Sequence, residues 1–244
     1  MLHHKFIGNS ESNQVIIFLH EGLGCIEMWR DYPEQLCNKL NCRGLIYDRA
    51  GYGQSEGSLL NRQADYLHLG AAELFELIND LKLENKEIIL YGHSDGGSIA
   101  LIYASKYPNQ VKSVITEAAH VFVEDVTLAG IAPAKEAFLQ GKLDGLKKYH
   151  GNHYVEVFNA WVDIWNDPDF RDWNIEAELK QITCLQLVIQ GVNDEYGTLK
   201  QVESIANHTK GQSTRFTPDN CGHAPFKELT TEVLKEVEAF VKNI

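Results

Sequence analysis

Short, continuous apolar runs alternate with longer amphipathic segments along most of this chain of 244 residues. The runs have the length of strands, and their lack of apolar–polar alternation is typical of strands buried on both faces. The segments between them show the 3.6-residue periodicity of helices. This alternation predicts an α/β protein with a doubly wound, mostly parallel sheet. The predicted strands are 15–19, 44–48, 88–91, 113–116, 185–189 and 213–218, and the predicted helices are 28–40, 62–81, 97–107, 198–208 and 230–242.

The stretch 119–181 interrupts the alternation, because it shows helical patterns without a strand. It is too long for an ordinary connection between parallel strands, and it holds three of the four tryptophans: Trp161, Trp165 and Trp173. It either enlarges the core or covers a ligand site, since ligands of open α/β sheets bind beyond the carboxyl ends of the strands. We predict a core formed by residues 1–118 and 182–244, with 119–181 as a helical cap insertion.

The excess of acidic over basic residues argues against several functional classes. Lys and Arg number 22 and Asp and Glu number 34, a net charge of −12, and such a surface repels nucleic-acid phosphates and anionic lipid. We expect a small-molecule substrate, no nucleic-acid or membrane partner, and a monomer or homodimer. Five cysteines without a C-x-x-C pair, and no apolar signal segment at the N-terminus, favour a cytoplasmic location. His150 and His153 lack a third ligand nearby in the sequence, so we expect no metal.

Residues 91–97 (YGHSDGG) carry the pattern G-x-S-x-G between a predicted strand and a predicted helix. Gly92 and Gly96 supply the small neighbours that a tight strand-to-helix turn requires, and such a turn projects the Ser94 hydroxyl outward. The helix start beneath it favours developing negative charge. Outside this context the pattern would indicate only a glycine-rich turn. The context favours Ser94 as a nucleophile.

A serine hydroxyl needs a general base before it can act as a nucleophile. His223 lies just before the last predicted helix and is the candidate for that base. Asp194 follows a predicted strand and could orient the imidazole, with Glu195 and Asp219 as alternatives for this role. We predict that Ser94, Asp194 and His223 form a catalytic triad.

A tetrahedral intermediate also needs hydrogen-bond donors for its oxyanion. The backbone N–H of Asp95, directly after the serine, is one candidate. The loop HEGLGC after the first central strand supplies the other, with Gly22 as the first choice and Leu23 as the second. An ordinary glycine-rich turn is the alternative interpretation of this loop. We predict an oxyanion hole built from these backbone amides.

Together these motifs resemble those of the α/β-hydrolase superfamily, and the resemblance covers nearly the whole chain. Besides the serine turn it rests on 20–24 (HEGLG), 48–55 (DRAGYGQS), 191–194 (GVND) and the pair Gly222-His223. The resemblance implies a cap-bearing serine hydrolase similar to small carboxylesterases, C–C bond hydrolases and valacyclovir-hydrolase-like enzymes. Because few residues precede the first central strand, we expect about seven strands rather than the family's eight.

The chain departs from the family at the oxyanion loop, where His20-Glu21 stands in place of His-Gly. Glu21 could therefore contact substrate. Asp95 is similar in position to the acidic residue that holds a substrate ammonium in valacyclovir-hydrolase-like enzymes, although a helix start alone favours a carboxylate there. The predicted substrate-binding residues are Glu21, His120, Trp161 and Trp165.

The motifs and the resemblance predict hydrolysis of a small to medium carboxylic ester through an acyl-enzyme, with no cofactor. The aromatic residues of the predicted cap indicate a partly apolar substrate. Two alternatives stay open from the sequence. The same triad can hydrolyse a C–C bond in a vinylogous diketone, and the same fold can serve as a ligand receptor with little turnover.

Overall fold

The computed structural model describes residues 1–60 and 62–244. Within these residues, seven strands form one sheet: β1 (His4–Gly8), β2 (Gln14–Leu19), β3 (Arg43–Tyr47), β4 (Glu87–His93), β5 (Val111–Glu117), β6 (Leu185–Ile189) and β7 (Ser213–Phe216). Their order across the sheet is β1-β3-β2-β4-β5-β6-β7. Only the β1–β3 pairing is antiparallel among these neighbours. The predicted fold class, a mostly parallel α/β sheet of seven strands, is confirmed.

The α-helices of the described residues flank this sheet or lie between its strands in sequence. None of them is long and apolar enough to cross a lipid bilayer. They are α1 (Tyr32–Leu40), α2 (Tyr66–Asp80), α3 (Asp95–Lys106), α4 (Asp125–Leu139), α5 (Leu146–His150), α6 (Tyr154–Trp165), α7 (Glu176–Leu179), α8 (Lys200–His208), α9 (Pro225–Glu228) and α10 (Thr230–Val241).

The central strand β2 shows how the sheet is buried on both faces. Val15, Ile17 and Leu19 are fully buried and pack in one core with residues of α2 and α3. Ile16 and Phe18 point to the opposite face, where they pack with residues of α1 and α10. Because successive side chains of a strand alternate between faces, a continuous apolar run fits a sheet covered by helices on both sides.

The predicted helix 28–40 is instead two elements. A 3-10 turn covers Ile26–Trp29, and α1 begins only at Tyr32. Arg30 lies between them with a left-handed φ of 56°. Pro33, in the first turn of α1, has no N–H with which to continue a helix from upstream. The apolar periodicity on both sides of this break is what made one long helix plausible.

The connection between β5 and β6 contains α4, α5, α6 and α7 and two short 3-10 helices, and no strand in the described residues. Phe122 and Asn174, both in this connection, form an isolated antiparallel β-bridge. Side chains of α4 and α6 line a cavity together with Ser94 and His223. The division of the chain into a core and a cap at residues 119 and 181 stays a prediction.

Candidate active site

Ser94 lies on a sharp turn between β4 and α3. Its φ is 53° and its ψ is −118°, a backbone conformation that non-glycine residues rarely adopt. A Cβ on Gly92 would lie 2.2 Å from the Gly96 carbonyl oxygen, and one on Gly96 would lie 2.0 Å from the Leu19 carbonyl oxygen. Only glycine fits at these two positions, so the sequence pattern permits the close approach that holds the serine at the end of β4.

Two loops at the carboxyl edge of the sheet bring an imidazole and a carboxylate to this serine. His223 Nε2 lies 3.0 Å from Ser94 Oγ, although 129 residues separate the two in the chain. His223 Nδ1 lies 2.8 Å from Asp194 Oδ1 on the loop after β6. The same Asp194 oxygen accepts a hydrogen bond from the Tyr196 N–H at 2.8 Å. The predicted residues thus form one continuous chain of polar contacts.

The protonation states and pKa shifts of these three side chains suit proton transfer. Because a carboxylate can only accept, His223 Nδ1 carries a proton and Nε2 is free to take the one on Ser94. Burial lowers the pKa of His223, but Asp194, with smaller contributions from Glu195 and Glu21, raises it, and the net pKa lies above that of a free histidine. Burial raises the pKa of Asp194 and the charge on His223 lowers it, so that the net pKa lies below its usual value.

The two candidate donors in the oxyanion loop, the amides of Gly22 and Leu23, differ in their hydrogen bonds. The Leu23 N–H donates to the Glu21 carboxylate at 2.6 Å, so the second-choice amide is engaged within the loop. Within the described part of the chain, the N–H groups of Gly22 and Asp95 donate to no protein acceptor. The structure therefore favours Gly22 over Leu23 as the partner of the Asp95 amide.

A cavity of about 530 Å³ adjoins the serine. Its wall is mostly apolar, with Ile131 of α4 and Leu143 beyond it. Tyr196, whose ring centroid is 4.8 Å from that of His223, also lines the cavity and was not predicted. Such a cavity has the size of a small-molecule site. All four predicted substrate-binding residues line it together with the serine and histidine: Glu21, His120, Trp161, Trp165, Ser94 and His223.

Comparison with known proteins concerns the fold. The family model described as the alpha/beta hydrolase fold matches residues 14–181. The chain belongs to this family.

The proteins that are similar to this hydrolase are named for different activities. Serine hydrolase BPHL of Homo sapiens is 27% identical over 225 residues, which cover 89% of this chain and 75% of the relative. A proline iminopeptidase of Saccharolobus solfataricus is 24% identical over 285 residues, covering 100% of this chain and 89% of the relative. The solved structure of an esterase from Exiguobacterium antarcticum has a TM-score of 0.78 at 20% identity, covering 99% of this chain and 95% of that one.

Two buried polar side chains hold the His223 loop of the hydrolase. His93 Nε2 lies 2.7 Å from the His223 carbonyl oxygen and donates to it, because a carbonyl only accepts. The Glu117 carboxylate accepts from the Phe226 N–H at 2.9 Å. His93 therefore holds the backbone of His223 through its side chain. Glu117 was missed, although a carboxylate at the end of the apolar strand β5 was an available signal.

Glu117→Gln is expected to flatten the pH dependence of stability. Burial raises the pKa of Glu117 from 4.5 to about 7, so its contribution to stability is complete below pH 4.5 and is lost as the pH rises through about 7. A glutamine can still accept from the Phe226 N–H and can donate to Tyr91, whose hydroxyl donates to Glu117 in the native protein. Urea titrations between pH 5 and pH 8 measure the difference. Parallel free-energy curves for the two proteins would contradict this assignment.

The Asp95 carboxylate lies apart from the cavity. Asp95 is 1% exposed, accepts a hydrogen bond from the Tyr66 hydroxyl at 3.1 Å and lies 3.5 Å from a guanidinium nitrogen of Arg49. It is not among the residues that line the cavity beside Ser94. This environment favours a structural role for the Asp95 side chain over binding of a substrate ammonium.

His150 and His153 do not form part of a metal site in the residues that the structure describes. His150 Nδ1 accepts from the Gly53 N–H at 3.0 Å. Its Nε2 lies 2.9 Å from the Leu23 carbonyl oxygen and donates to it. His150 therefore joins the segment before α6 to the oxyanion loop.

Proposed function

We propose that this α/β-hydrolase cleaves small to medium carboxylic esters through an acyl-enzyme on Ser94. The observation that carries the proposal is the unbroken set of contacts from the Ser94 hydroxyl to His223 at 3.0 Å and on to Asp194 at 2.8 Å, beside a mostly apolar cavity. A nucleophile, a base and an orienting carboxylate within hydrogen-bond distance are the parts that acyl transfer requires.

The chemistry follows from the positions of these groups. Ser94 Oγ attacks the ester carbonyl while His223 Nε2 takes its proton, and the amides of Gly22 and Asp95 stabilise the oxyanion. As the tetrahedral intermediate collapses, His223 returns the proton to the leaving alcohol. Water, activated by the same imidazole, then hydrolyses the acyl-enzyme and releases the acid.

A panel of aryl esters with acyl chains of two, four and eight carbons tests this function. We expect sustained hydrolysis, with many product molecules released by each enzyme molecule. A single equivalent of product without further turnover would contradict the proposal and favour a ligand receptor. The same panel includes a vinylogous diketone. If the protein is a C–C bond hydrolase, it should cleave this diketone faster than any of the esters.

One observation favours a second candidate substrate class, esters that carry an amino group. The acidic residues that line the cavity are Glu21 and Glu195, and none of the lining residues in the described chain is Lys or Arg. A positive substrate is attracted to such a site, whereas an anionic one is repelled. One relative is named a proline iminopeptidase, which is compatible with a substrate that ends in an amine.

Glu195→Gln is expected to raise KM about fivefold for an amino-acid aryl ester, because a partly solvated charge pair contributes about 1 kcal/mol. The N-acetylated form of the same ester lacks the charge, so its KM should stay within twofold. Glu203→Gln, on the exposed side of α8, changes the net charge equally and serves as the control. Equal changes in KM for both esters would exclude ammonium recognition by Glu195.

A further inference from the structure

We propose that Arg49 is a positioning residue for the oxyanion hole. Its side chain joins the loop that contains Gly22 to Asp95 at the start of α3. The inference rests on the proposed acyl transfer at Ser94. The Arg49 side chain is 5% exposed, and its guanidinium lies over the Tyr52 ring at 4.5 Å from the centroid. A buried guanidinium is held in place by such contacts, so its hydrogen bonds can orient neighbouring backbone.

His20 carries its single proton on the nitrogen that faces the Glu21 carbonyl oxygen. The backbone N–H of Arg49 donates to His20 Nε2 at 3.0 Å, so this ring nitrogen carries no proton. Burial lowers the pKa of His20 well below its usual value and keeps the ring neutral. Its single proton is therefore on Nδ1, which lies 2.8 Å from the Glu21 carbonyl oxygen and donates to it.

The same carbonyl oxygen also accepts from Arg49 Nη2 at 2.9 Å. The Gly24 N–H is a third donor to this oxygen, at 3.0 Å. The two side chains and this amide thus fix the direction of the Glu21 C=O bond. In a planar trans peptide the C=O and the following N–H point in opposite directions. The Gly22 N–H is therefore directed away from Arg49 and His20, and Glu21 and Leu23 on either side of it line the cavity that contains Ser94.

Arg49 also contacts the side chain of Asp95, whose backbone amide is the other proposed oxyanion donor. Arg49 Nη2 lies 3.5 Å from Asp95 Oδ2, and both side chains are almost fully buried. One guanidinium nitrogen therefore contacts the peptide that precedes Gly22 and the side chain of Asp95. An unpaired carboxylate at this position would oppose the negative charge that develops on the oxyanion, and Arg49 offsets it.

The test compares Arg49→Met, Asp95→Asn and the double variant. Arg49→Met alone leaves a buried carboxylate without its partner, which can unfold the protein, whereas the double variant removes both charges. Circular dichroism and thermal melting establish that the double variant is folded. Arg62→Met is the matched control, because Arg62 also contacts Tyr52 but makes no hydrogen bond or ion pair to Glu21 or Asp95 among the described residues.

In the folded double variant we expect kcat for an aryl ester to fall about 10- to 100-fold, less than for complete removal of an oxyanion donor, with KM within twofold. The inhibition constant of a trifluoromethyl ketone, which forms a tetrahedral adduct, should rise by the same factor. Arg62→Met should change both quantities less than twofold. A folded double variant with wild-type kcat and a wild-type inhibition constant would overturn the role of Arg49 and leave it as a packing residue.

A second measurement separates this inference from the proposed function. A fluorophosphonate labels an activated serine and needs the same oxyanion donors, so its labelling rate at Ser94 does not depend on the natural substrate. We expect that rate to fall in the double variant by the factor found for kcat. If the wild-type protein labels rapidly but hydrolyses no ester, the ester proposal fails, and the labelling rates still decide the role of Arg49. Equal labelling rates in both proteins would overturn it.

Discussion

Replacement of Ser94 by alanine is expected to lower kcat for a short-chain aryl ester by at least about 10⁴-fold, as for other triad nucleophiles. Among the described side chains, the Ser94 hydroxyl forms a hydrogen bond with His223 alone. Its removal takes away the nucleophile and should leave the packing intact. Alanine has the same Cβ as serine and adopts the backbone conformation of this turn at no greater cost. The melting temperature should therefore stay within about 2 °C of wild type.

Ser105→Ala provides the matched control for Ser94→Ala. Ser105 belongs to α3, the helix that begins directly after Ser94, and among the described residues its hydroxyl donates only to the nearby Ile102 carbonyl oxygen. We expect wild-type kcat from this variant. A folded Ser94→Ala protein that retains more than about one tenth of the wild-type rate would contradict nucleophilic catalysis by Ser94.

Asp194→Asn is expected to produce the second large effect, a fall in kcat of about 10³- to 10⁴-fold, because the imidazole loses the acceptor that holds its tautomer. The variant should also change the pH profile. Activity requires neutral His223, so kcat/KM of the wild type falls as the pH drops through the raised pKa of this residue. Without the carboxylate that raises the pKa, the acidic limb should move to lower pH.

Asp219→Asn and Glu195→Gln test the two other acidic residues considered for this role. Asp219 is exposed, and neither residue hydrogen-bonds to His223, whose Nδ1 contacts Asp194. We expect both variants to keep kcat within about threefold of wild type for an uncharged ester. A larger loss in either variant than in Asp194→Asn would reassign the orienting carboxylate.

Much of the fold could be predicted because it depends on local patterns. The continuous apolar run 15–19 corresponds to β2, which is Gln14–Leu19 in the structure, and 185–189 matches β6 at Leu185–Ile189. Burial on both faces suppresses apolar–polar alternation, so such strands are visible in a single sequence. The break at Arg30 was not visible, because a left-handed residue that is not glycine leaves no clear signal in composition.

The candidate site divides in the same way. Ser94 could be identified because two glycines at fixed spacing are required by one local turn. His223 and Asp194 could be proposed from their positions after predicted strands, because loops at the carboxyl edge of a parallel sheet converge. The contacts of Arg49 and Glu117 could not be predicted, since they depend on how loops distant in sequence pack in three dimensions.

The choice between Gly22 and Leu23 illustrates the limit of the sequence. Both amides belong to the same loop, and no pattern distinguishes them. The side chain of Glu21, which replaces the family's usual glycine, accepts from the Leu23 N–H at 2.6 Å. The residue that departs from the family pattern therefore decides which amide is free.

Rapid-quench mass spectrometry with an aryl ester tests the central claim most directly, because it detects the covalent intermediate itself. We expect about one acyl group per protein molecule within the first turnover, carried by the peptide that contains Ser94, followed by continued release of the acid. Ser94→Ala protein should carry no acyl group. An acyl group on a different residue, or steady hydrolysis with no acylated protein at any time after mixing, would contradict the account.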